Sequence, residues 1–251
     1  MTLAPADAVK DLAPAGVLRA AINYGNGVLA QRGDSEQAPR GTASDLAREL
    51  GHRLGVPVRF VSFAGAGAVF DAAKAVPPDP LAWDVAFLAI EPVRAAEIAF
   101  TAPYVLIEGT YLVRRDAPYQ SVADLDAPGR RILVTPKSAY DLYLTRTLTH
   151  AELVRLPPPD AAALPGLFAR EKLDAIGGVR QLIGKYIAAN PDLRLLPDSF
   201  MEIRQAMGTK PTRTIGARYL RAFVEEMKAS GFVADALKRS GQSATVAPAD
   251  A

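Results

Sequence analysis

Short apolar runs alternate with amphipathic segments in the first half of the chain. The runs Val17–Ile22, Val58–Phe63 and Trp83–Ile90 have the length of buried strands, and turn residues bound them. Between the first two runs, leucines recur at helical spacing after Thr42, which we expect to cap a helix. A second helical pattern, Gly65–Val76, separates the next two runs. This order predicts a parallel sheet joined by right-handed crossovers.

A second series of the same kind follows the polar break Arg115–Pro118. Its expected strands, each followed by a helical pattern, are Ile132–Thr135, Glu152–Leu156 and Leu173–Gly177. We therefore predict two α/β lobes, with residues 1–113 and 207–251 in lobe 1, residues 114–206 in lobe 2, and hinge crossings near 113–116 and 204–208. The strand openings at Asp84 and Asp174 share an apolar-Asp-apolar pattern, as two similar lobes would produce.

The composition narrows the classes of function. The chain has 251 residues, and its 29 basic residues nearly balance 27 acidic ones, which argues against a nucleic-acid partner. It has no cysteine and two distant histidines, so thiol chemistry and a zinc cluster are excluded, and we expect no cofactor or metal. No apolar run reaches the ~18 residues of a membrane span. No apolar leader is visible at the start, so a cytoplasmic location stays open.

Polar groups gather just beyond the predicted strands. The stretches concerned are Asn23–Asn26, Ala89–Arg94, Pro136–Tyr140 and Gly178–Gln181, two from each lobe. In open α/β sheets, ligands bind outside the carboxyl ends of the strands. If the lobes face each other, these stretches line one cleft, which predicts a site for a small ligand.

Two of these stretches have the chemistry to bind an acid. Arg94 can grip a carboxylate with two parallel charge-assisted hydrogen bonds, or it is an ordinary solvated cation. Ser138 begins a helix, where free N–H groups and the helix dipole attract anions, or it acts only as the cap of that helix. Tyr24 forms either an aromatic wall of the site or part of the core.

The segment from Asp84 to Tyr104 has a recognisable pattern: D-V at its start, then R-A-x-x-I-x-F-T-x-P-Y from Arg94. Together with GVLRAAI, LGV, DLDAPGRRILV and KLDAI in the same order, it resembles solute-binding family 3, the bilobed binding components of ABC importers for polar amino acids and relatives. The resemblance implies a periplasmic binding protein-like type II fold, with a mostly parallel sheet and flanking helices in each lobe and a ligand cleft between the lobes. It also implies a periplasmic, monomeric protein that closes over its solute and delivers it to a membrane permease.

The resemblance assigns roles to residues in both lobes. Arg94 matches the carboxylate-binding arginine of the family, and Ser138 matches the hydroxyl residue that contacts the same ligand group. Lys137 occupies the place of a glycine. Val179 occupies the place of an aspartate that holds the ligand's α-ammonium, and Ala89 replaces a hydroxyl residue. Either Glu91 supplies the missing charge, or the ligand has no α-ammonium.

These arguments predict a binding protein, not an enzyme, for a small carboxylate-bearing solute such as an amino acid, an amino-acid derivative or a related organic acid. Two alternatives stay open. One is a dehydratase of the arogenate or prephenate type, with Glu91 as general acid; the other is a ligand-sensing module without transport. The expected ligand-binding residues are Asn23, Tyr24, Ala89, Glu91, Arg94, Lys137, Ser138, Ala139, Val179 and Arg180.

Overall fold

The chain divides into two compact units in a computed structural model that describes residues 3–249. The first unit contains the residues up to Leu106 and those from Arg204 onward, and the second is Ile107–Ile203. Each unit contains its own group of parallel strands and its own helices. The α-helices are α1 (Ala6–Leu12), α2 (Thr42–Leu54), α3 (Ala66–Asp71), α4 (Pro92–Ala95), α5 (Ala139–Thr147), α6 (Leu164–Arg170), α7 (Arg180–Ile183), α8 (Thr214–Ala229) and α9 (Phe232–Arg239).

The strands are β1 (Leu18–Asn23), β2 (Val58–Phe63), β3 (Val85–Ala89), β4 (Ala99–Arg114), β5 (Arg131–Val134), β6 (Glu152–Arg155), β7 (Ala175–Val179), β8 (Leu193–Leu195), β9 (Met201–Thr209) and β10 (Thr245–Val246). Single turns of 3-10 helix lie at Ala72–Lys74, Val122–Leu125, Ala161–Ala163 and Gly184–Ala188. Among the described residues, no helix combines the length and the apolar character that crossing a bilayer requires.

The strands of the two units follow the same pattern. In the first unit, β1 lies between β2 and β3 and is parallel to both, and β9 adds an antiparallel strand beside β3. In the second unit, β5 lies between β6 and β7 and is parallel to both, and β4 adds an antiparallel strand beside β7. The internal similarity suggested by the strand openings is therefore present in the topology.

The carboxylate of Asp84 fixes the start of β3 against β1. The Asp84 N–H donates to the Arg19 carbonyl at 2.8 Å, and the Arg19 N–H donates back to Asp84 Oδ2 at 2.9 Å. The Arg19 guanidinium binds both carboxylate oxygens, at 2.8 and 2.6 Å, and Arg213 adds a third cationic contact at 2.7 Å. Asp84 is fully buried, so these bonds set the strand register in a nearly dry environment.

Asp174 makes the equivalent contacts in the second unit. Its N–H donates to the Arg131 carbonyl at 2.9 Å, and the Arg131 N–H returns to Asp174 Oδ2 at 2.9 Å. Arg130 and the Tyr119 hydroxyl bind the other oxygen, Oδ1. Each unit thus uses one aspartate, placed one residue before a strand, to align two parallel strands.

The structure differs from the sequence prediction in two details. The cap of α2 is Gly41 at φ 104°, not Thr42, and the close approach to the Leu29 carbonyl leaves no room at position 41 for a Cβ atom. The chain enters the second unit at Ile107, earlier than the expected 113–116, since Gly109–Val113 already pair with β7.

We predict that Asp84→Asn lowers the free energy of unfolding by about 3–5 kcal/mol, because it leaves the buried Arg19 without its counter-charge. Urea unfolding measures this loss. The matched control is Asp34→Asn, which breaks an exposed pair with Arg40 and should cost less than about 0.5 kcal/mol. Equal losses in the two variants would show that the Asp84 contacts do not fix the fold.

The charge of the half-buried Asp126 carboxylate makes one set of contacts in the second unit dependent on pH. The Asp126 carboxylate accepts the N–H groups of Thr149, His150 and Ala151 at 2.8–3.1 Å. Desolvation opposes ionisation of this group, but the three N–H groups outweigh it and lower the pKa of Asp126 to about 2. The charged form therefore stabilises the folded state.

Because the folded pKa lies below the unfolded value of ~3.9, this stabilisation is complete above about pH 4 and is lost as the pH falls towards 2. We predict that Asp126→Asn destabilises the protein at pH 6 and that the difference from the wild type shrinks between pH 4 and pH 2. Denaturant titrations across this range measure it. A difference that is constant with pH would contradict the role of the carboxylate charge.

Candidate functional site

In the first unit, the predicted stretches lie side by side at the carboxyl ends of adjacent strands. Strands β1 and β3 are parallel, with Ala20 opposite Val85 and Ala21 opposite Ala86. Asn23 ends β1 and Ala89 ends β3, so the residues that follow emerge at the same edge of the sheet. This places the Asn23–Asn26 turn beside the segment that carries Glu91 and Arg94.

Arg94 lies in the one-turn helix α4, and its side chain folds back over the end of β3. Its Nη1 group donates to the Ala89 carbonyl at 3.1 Å, and the residue is only 1% exposed. Glu91, 2% exposed, supplies the opposite charge. Two buried charges, one a guanidinium with five N–H donors, are thus held within four residues at the strand ends.

Desolvation is the main influence on the pKa of Arg94, and it outweighs the favourable charge of Glu91. Together they lower the pKa of Arg94 to about 10. At neutral pH the guanidinium remains charged. A charged donor in a site of low water content makes stronger hydrogen bonds than one on an open surface.

Two hydrogen bonds hold the turn after β1. The Asn23 side chain accepts the Gly25 N–H at 3.0 Å, and the Tyr24 N–H donates to the Phe63 carbonyl at 3.0 Å. The Tyr24 side chain is half-buried, and the Arg32 guanidinium lies over its ring, 4.5 Å from the centroid. Tyr24 therefore forms a cation–π pair with the exposed Arg32 and is not part of the core. The Asn23 side chain stabilises the turn.

In the second unit, the start of α5 is closed by its own polar groups. Ser138 is the N-cap, and its hydroxyl accepts the Asp141 N–H at 3.0 Å. Asp141 in turn accepts the Lys137 N–H at 2.8 Å and pairs with Arg155 at 2.9 Å. Capping is thus shown for Ser138, and its role in ligand binding stays a prediction, as does that of the buried Ala139.

Lys137 adopts the backbone conformation of the residue that the family pattern places there. Its φ angle is 58°, in the left-handed region that glycine enters without steric cost. A lysine pays a penalty of about 1 kcal/mol or more in this region. The local turn is therefore kept although the residue type differs, and the change adds a cation to an exposed position.

The last predicted stretch of the second unit serves a structural purpose. Val179 ends β7 and is 7% exposed. Arg180 binds Glu108 at 2.6 Å and donates to the carbonyls of Leu196 and Asp198 at 3.1 and 2.7 Å. Because these contacts use its Nε, Nη1 and Nη2 groups, we do not assign Arg180 to the ligand.

Among the buried side-chain polar atoms without a hydrogen-bond partner within residues 3–249, two line the same crevice in the first unit. They are Asn26, through Oδ1, and Tyr104, through its hydroxyl. Both line a crevice that also includes Asn23 and Phe87 and is too narrow for a water molecule. The Tyr104 ring packs edge-on against Phe87, and burial raises the pKa of Tyr104 far above its ordinary value. The hydroxyl is therefore neutral.

Within the described part of the chain, no group of three or more His, Cys, Asp or Glu residues is arranged to hold a metal ion. The first-unit site instead offers one desolvated guanidinium, that of Arg94, and an aromatic ring, that of Tyr24, covered by a second guanidinium. This set is suited to binding an anion by hydrogen bonds and charge.

The comparison with protein families gives one match to most of the chain. The model of the bacterial extracellular solute-binding proteins, family 3, matches residues 28–242. The chain belongs to this family. The match confirms the resemblance carried by the segment from Asp84 to Tyr104. A comparison with the curated proteins finds no match.

Solved structures confirm the type II periplasmic binding protein fold. AbpA, an amino acid ABC transporter substrate-binding protein from Streptococcus pneumoniae bound to L-arginine, is 20% identical with a TM-score of 0.69, over 93% of this chain and 100% of that one. A binding component of an ABC transporter from Wolinella succinogenes, complexed with lysine, is 19% identical with a TM-score of 0.71, over 90% and 95%. The ancestral amino acid-binding protein AncCDT-1, a precursor of cyclohexadienyl dehydratase, is 18% identical with a TM-score of 0.72, over 92% and 97%.

We predict that Tyr104→Phe leaves the protein as stable as the wild type or stabilises it by up to about 1–2 kcal/mol, because the buried hydroxyl that it removes has no partner. Thermal and urea unfolding measure the change. Tyr119→Phe is the matched control, since the Tyr119 hydroxyl is bonded to Asp174, and it should destabilise. A loss above 1 kcal/mol in Tyr104→Phe would show that the hydroxyl is bonded in solution.

Proposed function

We propose that the chain is the solute-binding component of an ABC importer and that its solute bears a carboxylate recognised by Arg94. The observation that carries the proposal is the buried, charged guanidinium of Arg94 at the carboxyl ends of β1 and β3. Ligands of open α/β sheets bind at this edge. Family membership supports the transport role, because the family comprises extracellular solute-binding proteins.

Arg94 has the chemistry to bind a ligand acid. Its Nη1 group donates to the Ala89 carbonyl, and a guanidinium presents its five N–H groups as a fork. A carboxylate fits two of these in parallel. The bond to Ala89 then serves to orient the fork, which reduces the entropy lost when the ligand binds.

We propose that the ligand has no α-ammonium group, or that its α-ammonium group does not contact a carboxylate of the protein. A buried ammonium needs a carboxylate partner. In this chain Val179 occupies the family's aspartate position, and Glu91 already balances the buried charge of Arg94. The relatives bound to L-arginine and to lysine hold cationic amino acids. We propose that this chain prefers deaminated organic acids over such ligands.

We infer that the chain binds its ligand without chemical conversion. A dehydratase needs an acid that can donate a proton, and Glu91 was the candidate. Glu91 lies buried beside Arg94 and offsets its charge, which is a structural task. AncCDT-1, which has this fold, is an ancestral amino acid-binding protein and a precursor of cyclohexadienyl dehydratase. Recovery of unchanged ligand after long incubation would support binding alone.

The partners follow from the same proposal. A membrane permease of an ABC importer receives the solute, the protein acts as a monomer in the periplasm, and it binds no nucleic acid. The near balance of 29 basic and 27 acidic residues agrees with the last point.

The first test is a thermal-shift screen of deaminated carboxylic acids and amino acids, followed by calorimetric titration of the acid that stabilises most. At a hundredfold excess over Kd, a ligand should add about 2.7 kcal/mol of stability. We predict that Arg94→Lys weakens this acid at least about tenfold, because lysine keeps the charge beside Glu91 but loses the two parallel bonds.

Arg59→Lys, at an exposed position of β2, is the matched control and should bind as the wild type does. Circular dichroism and the melting temperature without ligand establish that each variant is folded. If Arg94→Lys binds the acid as tightly as the wild type, Arg94 is not the carboxylate site. If no carboxylate stabilises the wild type, the proposed class of ligand is wrong.

A further inference from the structure

Arg32 differs from the other arginines of its groove. The groove lies in the first unit between the loop of residues 31–41, α2 and α9. Arg40 pairs with Asp34 at 2.9 Å. Arg48 and Arg239 both pair with Asp45, at 3.3 and 2.9 Å. Arg32 forms no hydrogen bond or ion pair with any residue from 3 to 249, and its guanidinium lies over the Tyr24 ring.

The stack gives Arg32 a defined position. Its guanidinium centre is 4.5 Å from the Tyr24 ring centroid, within the ~6 Å range of a cation–π interaction. The guanidinium carbon lies over the ring, and a guanidinium has five N–H donors. Tyr24 is fixed in turn by its N–H bond to the Phe63 carbonyl. The exposed cation is therefore held by an aromatic platform and has donors available.

This platform lies at the same sheet edge as Arg94. Tyr24 directly follows β1, and Arg94 lies five residues after the end of β3, the neighbouring parallel strand. Adjacent strands are about 4.8 Å apart, so the two arginines flank one short stretch of the edge. Arg94 has a counter-charge in Glu91, whereas Arg32 has none within the described residues.

We propose that Arg32 binds a second anionic group of the solute, so that the ligand class is a dicarboxylate or a comparable dianion. This inference rests on the proposed function, in which Arg94 binds the first carboxylate, and it makes Arg32 a residue that determines specificity. A guanidinium stacked on an aromatic ring is preorganised, because the stack restricts its rotamers before the ligand arrives. A second cation also disfavours cationic solutes by charge repulsion.

If Arg32 is an ordinary surface residue, a different result is expected. A surface arginine on a tyrosine contributes to stability alone, through about 0.5–1 kcal/mol of cation–π attraction. Its removal would then weaken all acids equally or not at all. Discrimination between a dianion and the matched monoanion separates the two roles.

Calorimetric titration of the wild type with succinate, glutarate and adipate, each compared with its own half-amide, provides the test. A half-amide keeps the length and one carboxylate of the diacid but loses the second charge. We expect one diacid to bind at least tenfold tighter than its half-amide. Arg32→Gln should reduce the ratio of the half-amide Kd to the diacid Kd to about one, and it should leave the Kd of the half-amide unchanged.

Arg40→Gln is the control, because it removes a cation of the same loop that is paired and does not touch Tyr24. Its ratio should equal that of the wild type. If the wild type binds diacids and half-amides equally, or if Arg32→Gln keeps the ratio, the inference is overturned while the proposed function stands. If neither diacids, half-amides nor other carboxylic acids bind the wild type, both the inference and the proposed function are overturned.

Discussion

The reciprocal bonds between Asp84 and Arg19 are the constraint on which the candidate site depends. They fix the start of β3 against β1 through a pair of backbone bonds and a buried carboxylate with three cationic contacts. Because a slip of one residue would turn every side chain to the opposite face, this register decides where both strands end. The turn at Tyr24 and the Arg94 segment lie side by side for this reason. Asp174 fixes the second unit in the same way.

The electrostatics of the first-unit site follow from burial. A guanidinium removed from water is costly, and Glu91 together with the Ala89 carbonyl offsets that cost. The same desolvation makes Arg94 a strong partner for an incoming acid. Arg32 supplies a second positive charge at the exposed margin of this edge, stacked on Tyr24. The described site therefore combines one buried and one exposed cation with a single carboxylate that is already engaged.

Local sequence patterns predicted the elements whose apolar residues form a short continuous run or recur at helical spacing. Strands β1, β2 and β3 and helix α2 lie where the apolar runs and leucine spacing placed them. The pattern did not reveal the first half of β4, because Pro103 interrupts it, nor β9, whose residues mix polar and apolar types. Strands β4 and β9 each begin in one unit and end in the other, whereas the sequence prediction treated the two groups of strands as separate.

The candidate site was predictable only in part. Position after a strand pointed to Arg94, Tyr24 and Ser138, since strand ends are visible in the sequence. Some contacts of the candidate residues join different elements of the chain, and no local pattern contains them. Arg180, for example, binds carbonyls 16 and 18 residues away. Arg32 lies in a polar loop without periodicity, and only the fold brings it onto Tyr24.

The central claim is that the Arg94 guanidinium binds the carboxylate of the solute. A crystal structure of the wild-type protein with the tightest-binding acid tests it most directly. The account predicts that both oxygens of one ligand carboxylate lie about 2.7–2.9 Å from nitrogens of Arg94. An acid bound elsewhere, with Arg94 still contacting only groups of its own chain, would contradict the claim.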